Sequence, residues 1–271
     1  QGLKLAGEGD YLGISALGDV ETLMQLTLDD IKQAYERMLK KDMVDVLVCG
    51  DFDDAQMEQL VKQYLPFVSR DGQVKTFYTV QNDLHDETKT EYRNITQSSI
   101  MMVWFTNTVI TDANYYPLRV ANAMFGQYST SLLFQEVREK NSLCYSIYSN
   151  LISYDAALGV TTGVEKENIE KTVALIRKQF QRVCEGDFED DLLQVSKQMI
   201  INSLKASKDS MNSLIALQYQ NVLLDREWDT EDIIEKITQV ERADILRAMK
   251  ACELKMTFIL TKEDADENNH E

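Results

Sequence analysis

Arg138 and Tyr145 are the two side chains whose types and spacing could serve chemistry on a peptide. They lie in the stretch 133–149, LFQEVREKNSLCYSIYS, which reads as a helix that ends in a polar turn and runs into a strand. Leu133, Phe134 and Val137 mark an apolar helical face, while Arg138, Glu139 and Lys140 load the last turn with charge. Asn141 is the expected C-cap, because asparagine tolerates the left-handed conformation that ends helices. From Cys144, β-branched and aromatic residues alternate with serine, the pattern of a half-buried strand. The turn therefore sets Arg138, at a helix end, near Tyr145, at a strand start. Such a pair can hydrogen-bond a peptide backbone and stabilise a developing oxyanion, given an acid or metal from elsewhere. Two ordinary roles stand beside that one: Arg138 as a C-terminal helix cation and Tyr145 as a cross-strand packing residue.

Other chemistries find no residues to use. The two histidines, His85 and His270, fall between units and in the charged tail, whereas zinc hydrolysis needs two imidazoles one helical turn apart with a Glu. No metal or other cofactor site is expected in this chain. Without a placed histidine, neither serine nor cysteine has a base, and Cys144 reads as a buried strand thiol. There is no GxGxxG and no GKT or GKS, so nucleotide binding is not expected.

The elements that must position the pair follow from the pattern of the chain. At 271 residues and 44% hydrophobic, the sequence exceeds one ordinary domain and has ample material for a core. A formal charge of −17 argues against a nucleic-acid or anionic-membrane partner, because phosphate binding needs a basic face. An acidic surface can attract basic peptides, but many soluble proteins are simply this acidic. No apolar run reaches the ~18 residues of a membrane span and no signal peptide opens the sequence. Cys49, Cys144, Cys184 and Cys252 form no CxxC pair, which suits free thiols in a reducing, cytoplasmic compartment. Helices are expected over 27–40, from about 53 to 65, and over 112–125, followed by a helical block beyond 165. Strands are expected at 44–50, 89–95, 98–106, 144–152, 156–163 and 255–262. Strands first and many helices after them read as α+β, a mainly antiparallel sheet with helices packed on one face.

An internal repeat organises these elements. Leu26-Thr27-Leu28-Asp29-Asp30-Ile31 opens a helix leading to the apolar run 44–49, and Val240-Glu241-Arg242-Ala243-Asp244-Ile245 opens one leading to 256–260. The expected division is therefore 1–68 as the closing part of a first homologous domain, 69–88 as a linker, and 89–271 as a second copy. The start at Gln1 reads as that of a fragment, with on the order of 120 residues of the first copy outside it.

The run 118–149, LRVANAMFGQYSTSLLFQEVREKNSLCYSIYS, resembles the second-domain signature of the insulinase/pitrilysin family of zinc metallopeptidases, which includes the mitochondrial processing peptidases. The signature is an asparagine-containing helix, a glycine-and-serine turn, then LF.EVREK.GL.Y. Weaker resemblance runs through GVTTGV to the last strand, and 13–66 resembles the end of the preceding homologous domain. The resemblance implies paired α+β domains facing each other around a chamber that holds an extended peptide. It implies zinc only in a region outside this sequence or in a partner subunit, and it assigns Arg138 and Tyr145 to substrate binding and transition-state stabilisation. Asn122, in the place of the zinc helix, is no metal ligand. Asn141-Ser142 departs from a pattern that often has Gly. The expected function is the peptide-clamping half of a metallopeptidase-like protein, inactive on its own, with a homologous peptidase subunit as partner. The alternative is a non-catalytic family member that presents substrate to, or structurally supports, an active zinc-bearing subunit.

Overall fold

The computed structural model describes residues 1–67, Phe77 and 83–263; most of the expected linker 69–88 lies outside them. In chain order the helices are α1 (Gly2–Ala6), α2 (Val20–Gln25), α3 (Leu28–Lys41), α4 (Asp54–Tyr64), α5 (Tyr115–Asn122), α6 (Ile169–Glu185), α7 (Asp190–Ser207), α8 (Met211–Leu223), α9 (Thr230–Gln239) and α10 (Arg242–Lys250). The strands are β1 (Glu87–Tyr92), β2 (Ser98–Phe105), β3 (Cys144–Ile152), β4 (Ala157–Val164) and β5 (Glu253–Thr261). The chain divides into two compact units. Unit 1 comprises Gln1–Ile14, Phe77–Lys205 and Thr230–Glu271, and unit 2 comprises Ser15–Thr76 and Ala206–Asp229.

Unit 1 is built on one five-stranded sheet of order β1-β5-β2-β4-β3. Only β1 and β5 run parallel; the other three pairs are antiparallel. This is the mainly antiparallel α+β sheet expected from the sequence. Because side chains alternate across a strand, β2 feeds two layers. Ile100, Met102 and Trp104 are buried on the face where Trp104 stacks on Phe180 of α6, with ring centroids 4.8 Å apart, and meets Phe125 edge-on at 6.1 Å. Val103 and Phe105 turn the other way and join Ala157, Met256 and Phe258 in a cluster that Ala6 and Leu12 complete. The principal helices thus cover one face, and the short N-terminal segment covers part of the other.

The helix ends follow local chemistry. Gly186 closes α6 in the left-handed conformation, φ 77°. Arg242, at the start of α10, donates to the carbonyls of Gly186 and Phe188 and pairs with Asp190, which ties the loop after α6 to α10. Asp86 enters β1 and accepts two hydrogen bonds from Arg177 of α6, at 2.6 and 2.5 Å.

Unit 2 contains α2, α3, α4 and α8. Asp19 and Asp53 cap α2 and α4 by accepting from the amides of Thr22 and Gln56, each at 2.8 Å. Thr27 and Asp30 form the expected capping box at the start of α3. The run 44–50, expected as a strand, is not one. Strands exist by pairing, and none of the described strands pairs with it, so Val44, Val46, Leu47 and Val48 stay exposed. Its Asp45 accepts a hydrogen bond from Tyr219 of α8 at 3.1 Å.

Two stability measurements check this account. Trp104→Ala removes the ring between sheet and helices and is expected to cost about 3–5 kcal/mol in urea unfolding; a cost below about 1 kcal/mol would contradict its central place. Asp86 sits below its ordinary value of 3.8, chiefly through its hydrogen bonds to Arg177. A depressed carboxylate contributes stability that is complete above its unfolded value and fades as pH falls through the folded one. The stability difference between the native chain and Asp86→Asn should therefore be present at neutral pH and shrink as pH drops below 3.8. A difference independent of pH would contradict the pair.

Candidate peptide-binding site

Arg138 and Tyr145 are brought together by three backbone irregularities between Phe134 and Ile147. First, the helix that carries the arginine is wound wide: Phe134–Lys140 is π-helical, as is Ala123–Gln127 at the end of α5. Such wide turns recur at functional sites. Second, the helix stops at Asn141, and the left-handed residue expected there falls one position later. Asn141 has φ −104° and Ser142 has φ 52°. The amides of Ser142 and Leu143 donate to the carbonyls of Arg138 and Val137, and the Asn141 side chain donates to the Glu136 carbonyl at 2.8 Å. Asn141 therefore caps the helix twice, through its backbone N–H to the Arg138 carbonyl and through its side chain to the Glu136 carbonyl. Third, β3 is bulged where it begins. Cys144 pairs with Val164 and Ile147 with Thr162, so Tyr145 and Ser146 stand opposite a single residue. A bulge re-aims a side chain, and here Tyr145 points out with 84% of its surface exposed. Thr162 donates to the Ser146 carbonyl at 2.8 Å and satisfies the acceptor left by the bulge.

The resulting geometry is a layered one. The Arg138 guanidinium carbon lies 4.5 Å from the Phe134 ring centroid and 5.7 Å from that of Tyr145. Both contacts are cation–π in character, worth about 0.5–1 kcal/mol each at a partly open site. Glu139 approaches the arginine Nε at 3.8 Å, a loose surface pair. Arg138 keeps 35% of its side chain exposed beside the exposed Tyr145. The Cys144 thiol beside them is pushed up by burial, against the opposing influence of Thr162 and Arg138, so it is not an activated nucleophile. Phe134 was missed as a site residue, although its place four residues before Arg138 is the spacing at which helical side chains meet. The wide turns and the bulge leave no mark in residue type.

Behind this pair lies a second polar cluster, in the place where the family resemblance puts the zinc helix. Asn122 is 3% exposed; its Oδ1 accepts from Ser149 Oγ at 2.6 Å and its Nδ2 donates to Gln127 Oε1 at 3.3 Å. A Cβ at Gly126 would come within 2.7 Å of both Leu133 and Ser149, so only glycine lets the helix end approach β3 this closely. These are neutral amide and hydroxyl groups that satisfy one another, and they do not fit zinc, which takes thiolate, imidazole or carboxylate. Among the described residues no group of three or more His, Cys, Asp or Glu could hold a metal ion. No helix among them is long and apolar enough to cross a membrane.

Comparison with known proteins places this geometry. The family described as "Peptidase M16 inactive domain" matches residues 25–200. A Bacillus subtilis protein named "Probable inactive metalloprotease YmfF" is 28% identical over 258 residues, covering 93% of this chain and 59% of its own length. A conserved protein from Enterococcus faecalis superposes with a TM-score of 0.86 at 28% identity, covering 98% of this chain and 63% of that one. A peptidase M16 inactive domain from Pseudomonas fluorescens, 16% identical, shares the fold with a TM-score of 0.71, covering 98% of this chain and 65% of that one. The chain spans about half to three fifths of the length of the curated relatives it matches.

The left-handed Ser142 generates a direct test. Ser142→Gly relieves a conformation that costs an L-residue about 1–2 kcal/mol, less the extra chain entropy of glycine. It is expected to raise unfolding stability by about 0.5–1 kcal/mol in urea titration; a loss of stability would contradict the turn geometry.

Proposed function

Because the chain belongs to the peptidase M16 inactive-domain family, we propose that it is the peptide-clamping half of a zinc-peptidase-like protein, inactive on its own, that grips an extended peptide through Arg138 and Tyr145. The observation that carries this reading is the Arg138 guanidinium held over the Phe134 ring beside an exposed Tyr145 at the outer edge of the sheet. Arginine presents a rigid fork of donors, and stacking fixes its plane before a ligand arrives. It would bind a substrate carbonyl. The Tyr145 hydroxyl would then donate to the oxygen on which negative charge develops as water attacks the peptide carbonyl. Zinc, which would activate that water, belongs in this reading to a homologous subunit or to a region outside this sequence, because the Asn122 cluster has no ligand to offer.

A second reading is favoured by the neutral, self-satisfied Asn122 cluster: a chain that only presents peptide to an active partner or supports it structurally. Under that reading Arg138 and Tyr145 affect binding alone. The free cysteines and the acidic surface support a cytoplasmic protein that meets neutral or basic peptides.

Mixing the chain with a zinc-bearing homologous subunit and following peptide cleavage separates the two. Tyr145→Phe is expected to lower kcat by about 10- to 100-fold with KM little changed, because its hydroxyl acts in the transition state. Arg138→Ala is expected to raise KM. Unchanged kcat in Tyr145→Phe would remove the transition-state role and leave peptide presentation.

A further inference from the structure

Two thiols that the peptide-binding site does not use meet at one helix end. Cys184 lies in the last turn of α6 and is 9% exposed, and Cys252 lies just past α10, where the chain turns into β5. The Cys184 Sγ donates to the Met249 carbonyl at 3.7 Å, and the Cys252 Sγ donates to the Ala248 carbonyl at 3.4 Å. The Cys252 amide also donates to the Met249 carbonyl, at 3.1 Å, so both cysteines converge on a single oxygen. These carbonyls belong to the last turn of α10, where a helix leaves its acceptors without internal partners. Two thiols from separate elements thus cap one helix.

The electrostatics agree with this convergence. Burial pushes the Cys184 thiol up to about 11, and Glu185 adds to the rise. Burial pushes the Cys252 thiol up to about 12, and the next contribution is the charge that Cys184 would carry, as neighbouring sulfurs require. Both therefore rest as neutral S–H donors. Neither is a ready nucleophile, so oxidation waits on a brief opening of the α10 end. What the pair would join is central to unit 1. α10 packs on α6, α6 carries the Phe180 that stacks on Trp104, and β5 is an inner strand of the sheet.

We propose that Cys184 and Cys252 form a reversible dithiol–disulfide latch, closed by a small disulfide oxidant of the glutathione class, that staples the end of α6 to the entry of β5. In the first step one cysteine thiolate attacks a sulfur of oxidised glutathione and expels a glutathione thiolate. The second cysteine thiolate then attacks the protein sulfur of that mixed disulfide and expels the other glutathione thiolate. The two cysteine protons end on the two released thiolates, so two protein thiols are oxidised as one small disulfide is reduced. The loop so closed contains α7 to α10, and restricting the unfolded chain in this way stabilises the fold. A disulfide has no hydrogen to donate, so the α10 end exchanges two weak thiol caps for a covalent tie. Cys49, in unit 2, and Cys144, in β3, serve as controls within the same chain. This inference is independent of the peptide-grip reading.

The test incubates the full chain with oxidised glutathione at mildly alkaline pH, maps its non-reduced peptides by mass spectrometry and follows urea unfolding. The expected result is a Cys184–Cys252 linkage within one chain, a urea midpoint raised by about 1 M, and full reversal by dithiothreitol. Cys184→Ser and Cys252→Ser should each abolish both the linkage and the rise, with circular dichroism checking that the variants are folded. The peptide map needs only the native chain, so misfolding of a variant does not obscure the result. Four results would overturn the proposal: no linkage in the folded chain; stable glutathione adducts at Cys184 or Cys252 without closure; a linkage through Cys49 or Cys144 instead; or a midpoint that oxidation leaves unchanged or lowers.

Discussion

The placement of Arg138 against Tyr145 depends on a helix that is wound too wide to continue and must stop. In an α-helix the side chains of residues 134–140 would advance further around the axis with each step, and the chain would leave the last turn in another direction. The wide turn, the left-handed Ser142 and the bulge at Tyr145 are one connected device. Each is unfavourable alone, and each is compensated locally, by Asn141 on the Glu136 carbonyl and by Thr162 on the Ser146 carbonyl. Packing holds the device in place. Gly126 lets the end of α5 close onto Ser149, and Leu133 and Val137 are fully buried beneath the arginine.

What the sequence made legible was whatever depends on side-chain type at regular spacing. Ile169, Val173, Ile176 and Phe180 announce α6, Thr27 and Asp30 announce the start of α3, and the apolar run of β2 announces an inner strand. Arg138 and Tyr145 could be read as neighbours because a helix end and a strand start frame them. The wide winding and the bulge were not legible, because they are choices of backbone register that many sequences tolerate. The displacement of the left-handed residue from Asn141 to Ser142 is a direct consequence. The failed strand at 44–50 has the opposite cause. Its residue types are right for a strand, but pairing is a property of the neighbour and not of the segment.

The two units also show how far local chemistry reaches without tertiary contacts. A capping box forms at the start of both α3 and α10, one helix with an exposed apolar stripe and the other with a buried one. Caps satisfy orphaned backbone donors wherever the helix sits, whereas burial of the stripe supplies most of the stability. The chain belongs to the peptidase M16 inactive-domain family, and the buried Asn122 sits in a neutral hydrogen-bonded cluster with Ser149 and Gln127. What remains open to solvent is an arginine with a fixed plane and a tyrosine hydroxyl on a sheet edge.

The most direct measurement is an NMR titration of the chain, labelled at arginine side chains and tyrosine rings, with an extended peptide whose ends are blocked. The account predicts that the Arg138 Nε and Tyr145 ring resonances shift together with the amides of 145–148 and saturate at one common affinity. Binding that moves other resonances and leaves Arg138 and Tyr145 unperturbed would contradict it.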